Sequence, residues 1–376
     1  MIEKAIQLSK KLANYHPEQL NMVVGFDGFI DEIVHAVDKR IDASHFERID
    51  TMEQFAKRIE RAAGLSTNIE FVPMIKKIGG NGPIMANALS RHQSQITYLG
   101  SLGSPSIDDV FLGMPENVKL YSFAGAGHTD ALEFDDGKVM LGKMVSLNDV
   151  TYENLVKAVG FDEFVSVLDQ ADLFATVNWS MLPHMTELWR KILEEILPLL
   201  SDKPKKPIFF VDIADPEKRE ENEIQEALGL LKEFRSKFKV ILGLNKKEAY
   251  DVGAVLDLFD DPSLEHMQVS LEDLAQAYND WLQIDAIVIH PVDRSCTVVD
   301  GVYYEEHGPY VKKPKLTTGA GDNFNAGYVL GHLLGLTPDE CLLTGMGTSG
   351  FYVRNAHSPS FPELIQFLDE WGHDLV

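Results

Sequence analysis

Short apolar runs and helical patterns alternate along most of the chain. The runs 22–24, 173–177, 208–211, 240–242 and 286–289 are brief and mostly β-branched or aromatic, so they predict buried strands. The stretches 183–199, 216–234 and 271–282 carry apolar residues at helical spacing. Strand and helix in repetition predict βαβ units, hence a largely parallel sheet covered by helices on both faces. In such sheets ligands collect beyond the carboxyl ends of the strands, so residues just after each strand carry the most information.

The stretch 120–145 has a different pattern. Strand-like pieces flank Asp135-Asp136-Gly137-Lys138, a hairpin signal, and predict a small flap or lid. No internal repeat, low-complexity tract or linker divides the sequence, so one α/β domain over residues 1–376 is expected.

Composition narrows the function classes. Apolar residues make up 45% and charged residues 24%, which excludes a disordered or fibrous chain. Lys and Arg number 34 against 58 Asp and Glu, a net charge of −24. That balance argues against nucleic acid and anionic membrane surfaces, whose fields repel it. It leaves room for a small phosphorylated ligand, because backbone N–H groups can hold an anion inside an acidic protein. No run approaches the roughly 18 apolar residues of a membrane span. Two cysteines, Cys296 and Cys341, are too few for a disulfide framework or thiolate cluster. A soluble chain in the reducing cytoplasm is expected.

The most informative segment is Thr317-Thr318-Gly319-Ala320-Gly321-Asp322-Asn323-Phe324. Helical apolar spacing follows over 324–334, which puts the glycines at a helix N-terminus, where free N–H groups and the positive dipole end favour an anion. Asp322 is a carboxylate beside that anion position. A phosphoryl-transfer site wants one there to accept a hydroxyl proton. An N-cap is the other role for Asp at this place. Spacing alone leaves both open.

Gly319-Ala320-Gly321-Asp322 followed by Asn323-Phe324 resembles the second signature of the ribokinase-like (PfkB) carbohydrate kinases. Three further stretches match that family in order: Gly25-Phe26-Asp27-Gly28-Phe29-Ile30-Asp31, Gly79-Gly80-Asn81-Gly82-Pro83, and Asn245-Lys246-Lys247-Glu248. The likeness spans roughly residues 22–355.

The resemblance implies a ribokinase-like three-layer α/β sandwich, with a mostly parallel sheet, helices on both faces, and a small β lid from segments near 28–45 and 120–145. It implies a phosphotransferase that moves the γ-phosphoryl group of Mg-ATP to a hydroxyl of a sugar or sugar-like molecule. Asp322 would be the base, and the N–H groups of Gly319, Ala320 and Gly321 would steady the moving phosphoryl group. Thr318, Asn245 and Glu248 would serve the nucleotide, with Glu248 orienting Mg²⁺ through water. Asp31 would hold sugar hydroxyls, with Asp27 second, since Asp27-Gly28 is also a turn signal. Gly79 and Gly80 would give the substrate close backbone approach. Asn81 reads as a polar contact or as a left-handed turn residue. The partners implied are a small sugar-like substrate and a nucleotide, with a homodimer through the lid.

Three positions depart from the family pattern. Leu316 stands where an Asp usually opens the second signature, and Ile84 where an Asn usually contacts the sugar, with Asn87 one turn later. The stretch 290–296 lacks the usual glycine of a nucleotide-binding turn. Nucleoside acceptors, ADP as donor, and a catalytically silent sugar-binding relative therefore stand as alternatives. Two motif decoys are set aside. Gly137-Lys138 to Gly142-Lys143-Met144 nearly spells a P-loop but ends in Met and lies in the predicted hairpin. Gly345-Met346-Gly347-Thr348-Ser349-Gly350 has dinucleotide-type spacing, yet Thr337-Pro338 before it reads as a helix start rather than a strand.

Overall fold

The computed structural model describes residues 2–258 and 269–376. Its strands, in chain order, are β1 (Asn21–Phe26), β2 (Phe29–Arg40), β3 (Phe46–Arg48), β4 (Phe71–Gly79), β5 (Gln95–Gly100), β6 (Val118–Ser122), β7 (Gly127–Phe134), β8 (Gly137–Lys143), β9 (Leu173–Thr176), β10 (Ile208–Asp212), β11 (Lys239–Asn245), β12 (Ala286–His290), β13 (Arg294–Val299) and β14 (Val302–His307).

All five predicted strand runs lie in one nine-stranded sheet of order β14-β13-β12-β11-β10-β9-β1-β5-β6. Neighbours are parallel from β6 through β12, and β13 and β14 turn back antiparallel. Every residue of β9 and β10 is buried, which is why these runs are continuously apolar rather than alternating. Two cores flank the sheet. One contains side chains of Tyr152–Val159, Phe161–Gln170, Met185–Lys191, Glu221–Leu230, Lys246–Val255 and Leu271–Leu282. The other draws on Ile2–Leu12, Asn81–Ser90, Ala320–Leu333, Pro338–Asn355 and Phe361–Gly372. The helix expected over 183–199 is α-helical only to Lys191, then continues as a π turn and a 3₁₀ turn containing Pro198.

A second sheet of five strands stands apart from the first. β2 pairs with β7, and β7 with β8 through the Asp135-Asp136 turn, while β3 and β4 share the other edge of β2. Val34, Ala36, Leu132 and Phe134 give it a small core of its own with Ile49. Two boundaries differ from the sequence expectation. Residues 120–122 belong to β6 of the main sheet. Phe71–Gly79, unanticipated, is an edge strand whose Pro73, Lys76 and Lys77 blunt the strand signal, as edges commonly do. The P-loop decoy lies in β8, and the glycine-rich decoy lies inside the helix Pro338–Asn355.

Candidate active site

Strands β1, β9, β10, β11 and β12 lie side by side, and each delivers a polar side chain at or just past its carboxyl end. These are Asp27, Asn178, Asp212, Asn245 and His290. The N-terminus of the helix Ala320–Leu333 faces the same edge. A cleft of about 410 Å³ runs between them, its wall including Asn81, Asp212, Asn245, Glu248, Gly319 and Asp322.

Gly319 is the residue before the helix and has a left-handed backbone, φ 89°. A side chain there would start 2.9 Å from Tyr352 Oη and 3.1 Å from Ile84 Cγ2, so both conformation and space demand glycine. Ala320 and Gly321 follow along the cleft wall, and the Ala320 N–H donates to Thr317 O at 3.1 Å. Thr317 lines the cleft. Thr318 is exposed, and its carbonyl accepts the Tyr352 hydroxyl at 2.8 Å, so its side chain is not part of the wall.

Asp322 makes no capping hydrogen bond to its own helix. Its carboxylate is 6% exposed, and Oδ1 accepts the Asn81 side-chain amide at 2.9 Å. Burial, and then the negative charge of Asp212, hold its carboxyl well above the usual carboxylate range.

Asp27 is fully buried. Oδ2 accepts the Asn81 N–H at 2.9 Å and the Asn178 side-chain amide at 2.7 Å, and Oδ1 accepts the Gly82 N–H at 2.9 Å and is approached by the Tyr98 hydroxyl at 3.4 Å. Burial pushes its carboxyl up to about 6 against the pull of these donors. Protein donors thus surround the carboxylate that the resemblance offers as a second sugar ligand. It caps the helix Asn81–Ser90 from outside, in place of Gly80, whose φ of 93° and tight contact with Asp27 leave room only for glycine.

Asp31 is on β2, with its carboxylate directly against the Gly79 backbone. It lies opposite Lys77 on β4 and Thr129 on β7. Burial raises its pKa, while the Lys77 charge and a hydrogen bond from Thr129 lower it. Residues 79–82 therefore touch Asp31, Asp27 and Asp322 in turn.

Asn245 and Glu248 form a reciprocal capping box: Glu248 N–H donates to Asn245 Oδ1 at 3.0 Å, and Asn245 N–H to Glu248 Oε2 at 2.8 Å. Glu248 is not an ordinary exposed helix-start residue, being 6% exposed on the cleft wall. Burial, then Asp212, raise its pKa.

Sequence reasoning missed Asp212 and Asn178. Asp212 is buried, accepts the Ala214 N–H at 2.9 Å and the Asn325 amide at 2.7 Å, and supplies the largest charge contribution to both Glu248 and Asp322. Its signal was available: it is the acidic last residue of a strand that was correctly expected. Asp212, Glu248 and Asp322 on the cleft wall, and Asp27 behind it, have no Lys or Arg partner among the described residues, so the site concentrates carboxyl groups that no protein cation compensates. His290 stacks on Phe324 at 4.7 Å, and burial lowers its pKa to about 4, which keeps the ring neutral.

A family model described as prokaryotic ketohexokinase matches residues 3–371. The chain belongs to the prokaryotic ketohexokinase family. A ketohexokinase from Haloferax volcanii is 29% identical over 356 residues, covering 93% of this chain and 92% of the relative. Among solved structures, Arabidopsis thaliana ribokinase complexed with ribose and ATP superposes with a TM-score of 0.62 at 14% identity, covering 93% of this chain and 98% of that one. Adenosine kinase from Sinorhizobium meliloti gives 0.63 at 14% identity, covering 93% and 97%. The fold is thus that of ribokinase, an α/β sandwich with a mostly parallel sheet and a small second sheet. At the level of fold, sugar and nucleoside kinases are both similar, so the family match decides between them. The chain is an ATP-dependent carbohydrate kinase, and the nucleoside, ADP-dependent and catalytically silent alternatives are not favoured.

Proposed function

We propose that this enzyme phosphorylates a ketohexose, with Asp322 as the general base. The observation that carries the reading is the Asn81–Asp322 hydrogen bond. It joins the two glycine signatures at one point, beside the anion-favouring turn and within reach of the segment that holds Asp31. The ketohexose is supported by the family match and by the Haloferax relative.

In this reading the acceptor lies against Gly79 and Gly80, with hydroxyls on Asp31. Asp322 takes the proton of the attacking hydroxyl as its oxygen bonds to the γ-phosphorus and the bond to the β,γ-bridging oxygen breaks, releasing ADP. Its raised proton affinity suits that task. The N–H groups of Gly319 and Gly321 stabilise the charge of the moving phosphoryl oxygens, and Ala320, whose own N–H donates to Thr317 O at 3.1 Å, holds the turn that aims them. Asn245 and Glu248 line the nucleotide side. Thr318 contributes through the backbone of this turn.

The donor set fits Mg²⁺. Asp212 and Glu248 offer hard oxygen atoms, and among the described residues no three His, Cys, Asp or Glu side chains converge to enclose a metal ion. Such a site suits a cation that keeps several waters and rests on few carboxylates. Glu248, with Asp212, would hold its water shell, and the ion would supply neutralisation of the nucleotide's phosphate charge.

The second sheet would act as a lid that excludes water during transfer. Its Asp31-bearing face also exposes Ile75 and Met140, at 54% and 52%, which supports a homodimer formed through the lid. The net charge of −24 supports a chain that avoids nucleic acid and membrane surfaces, and two buried free cysteines support a cytoplasmic setting. No described helix is long and apolar enough to cross a membrane.

ADP release coupled to a panel of ketohexoses, aldohexoses, pentoses and nucleosides tests the reading. The highest kcat/KM should fall on a ketohexose with Mg-ATP. A preference for a nucleoside or an aldose would overturn the assignment.

A further inference from the structure

Asn178 carries two anomalies at once. It is a non-glycine residue with left-handed backbone, φ 62° and ψ 47°, and its Oδ1 is buried without a hydrogen-bond partner. Residues held this way cluster at functional sites, where the surroundings impose the geometry. The surroundings here are explicit. Val177 N–H donates to Gly25 O at 3.0 Å, Ser180 N–H to Ile213 O at 3.0 Å, and Ser180 Oγ to Ala214 O at 2.5 Å. The exit of β9 is thus stitched to the exits of β1 and β10, and the fold sets the aim of the Asn178 amide. That amide donates to Asp27 Oδ2 at 2.7 Å.

Asp27 in turn takes the N–H groups of Asn81 and Gly82, and Asn81 passes its own amide to Asp322 Oδ1. A chain of hydrogen bonds therefore runs from Asn178 to Asp322, and three of its four members are at most 6% exposed. An amide is needed at the start of it. A second carboxylate there would face Asp27 with like charge, and a hydroxyl on this backbone would be shorter.

We propose that Asn178 is a positioning residue for the acceptor half of the site: it fixes Asp27, through it the turn 80–82, and through Asn81 the direction in which Asp322 meets the acceptor hydroxyl. This rests on the reading of Asp322 as the base. Asn178 touches neither substrate nor the reacting atoms in this account.

The test is Asn178→Gly, with Asn178→Asp beside it. Glycine takes up a left-handed backbone without strain, so the first variant removes the amide while relieving the conformation. The second keeps the shape and removes the donor. Both should lower kcat/KM for the acceptor sugar by roughly tenfold or more, because small misplacements of reacting groups are costly. The affinity for ADP, read by calorimetry, should stay within about twofold, because the nucleotide side is not on this chain of bonds. The melting temperature of Asn178→Gly should be no lower than that of the wild type. Acceptor kinetics unchanged in both variants would overturn the inference. So would a fall in melting temperature of Asn178→Gly, or an equal loss of ADP affinity, since either would make Asn178 a general structural residue. If the wild type phosphorylates no sugar, the base assignment falls and this inference falls with it. If the wild type is active and the variants match it, only this inference falls.

Discussion

Asn81 donates its side-chain amide to Asp322 Oδ1 at 2.9 Å, across 241 positions of sequence. Neither residue is on the same element or next to it in the chain. Asn81 opens the helix Asn81–Ser90, and Asp322 lies in the first turn of Ala320–Leu333. The bond turns two separate glycine-rich signatures into one site.

Removing that amide should act in a defined direction. The Asn81 hydrogen bond lowers the pKa of Asp322 against burial and the charge of Asp212. In Asn81→Ala the carboxyl should rise further, so the acid limb of the kcat–pH profile moves to higher pH. Loss of alignment should lower kcat by about 10- to 100-fold. A profile unmoved on its acid side contradicts the link.

Asp212→Asn should shift the same limb the other way. Asp212 is the largest charge acting on Asp322, and neutralising it makes that carboxyl easier to ionise. The same variant should weaken Mn²⁺ binding, read by electron paramagnetic resonance with ADP present, by roughly tenfold. Equal Mn²⁺ affinity in variant and wild type would remove Asp212 from the cation's surroundings.

Much of this site was legible before any coordinates. Buried parallel strands are apolar without interruption, so 173–177, 208–211 and 286–289 announced themselves; Asp322 stood out as an acid at a glycine-rich helix start, whereas Glu248 was singled out only through the family resemblance. The backbone donors of Asp27 were not legible, because they come from a turn more than fifty residues away. Asn178 carried no signal: its left-handed backbone and its bond to Asp27, 151 positions off, are products of tertiary packing. β4 was hidden for a related reason, since a single-edged strand with mostly exposed positions has no inward periodicity to read.

Stability of the unliganded protein should fall as pH rises. The Asp27 carboxyl titrates at about 6 when folded, against about 3.9 for an ordinary Asp. Between those values the folded state binds a proton that the unfolded chain does not. The contribution is therefore fully present below about 4 and is lost as pH rises through 6. Asp212, Glu248 and Asp322 are raised in the same sense and extend the decline. Melting temperatures measured from about pH 5 to about pH 8 should decrease, less steeply in Asp212→Asn. A melting temperature that climbs across this range contradicts the buried-carboxylate account.

Gly319→Ala should destabilise the protein even with no ligand bound. The left-handed backbone costs a non-glycine residue about 1–2 kcal/mol, and the new methyl would press on Tyr352 and Ile84. Chemical denaturation should register a loss of at least that size, accompanied by a raised KM for ATP. Unchanged stability would mean that the turn is not held as described.

The most direct measurement is the turnover of Asp322→Asn with its ligand affinities measured alongside. ADP formation from Mg-ATP and the best ketohexose should fall by about 10²- to 10⁴-fold, while the dissociation constants for ADP and sugar stay within about threefold of the wild type. A rate within about threefold of the wild type would remove Asp322 as the base and, with it, the account of this cleft.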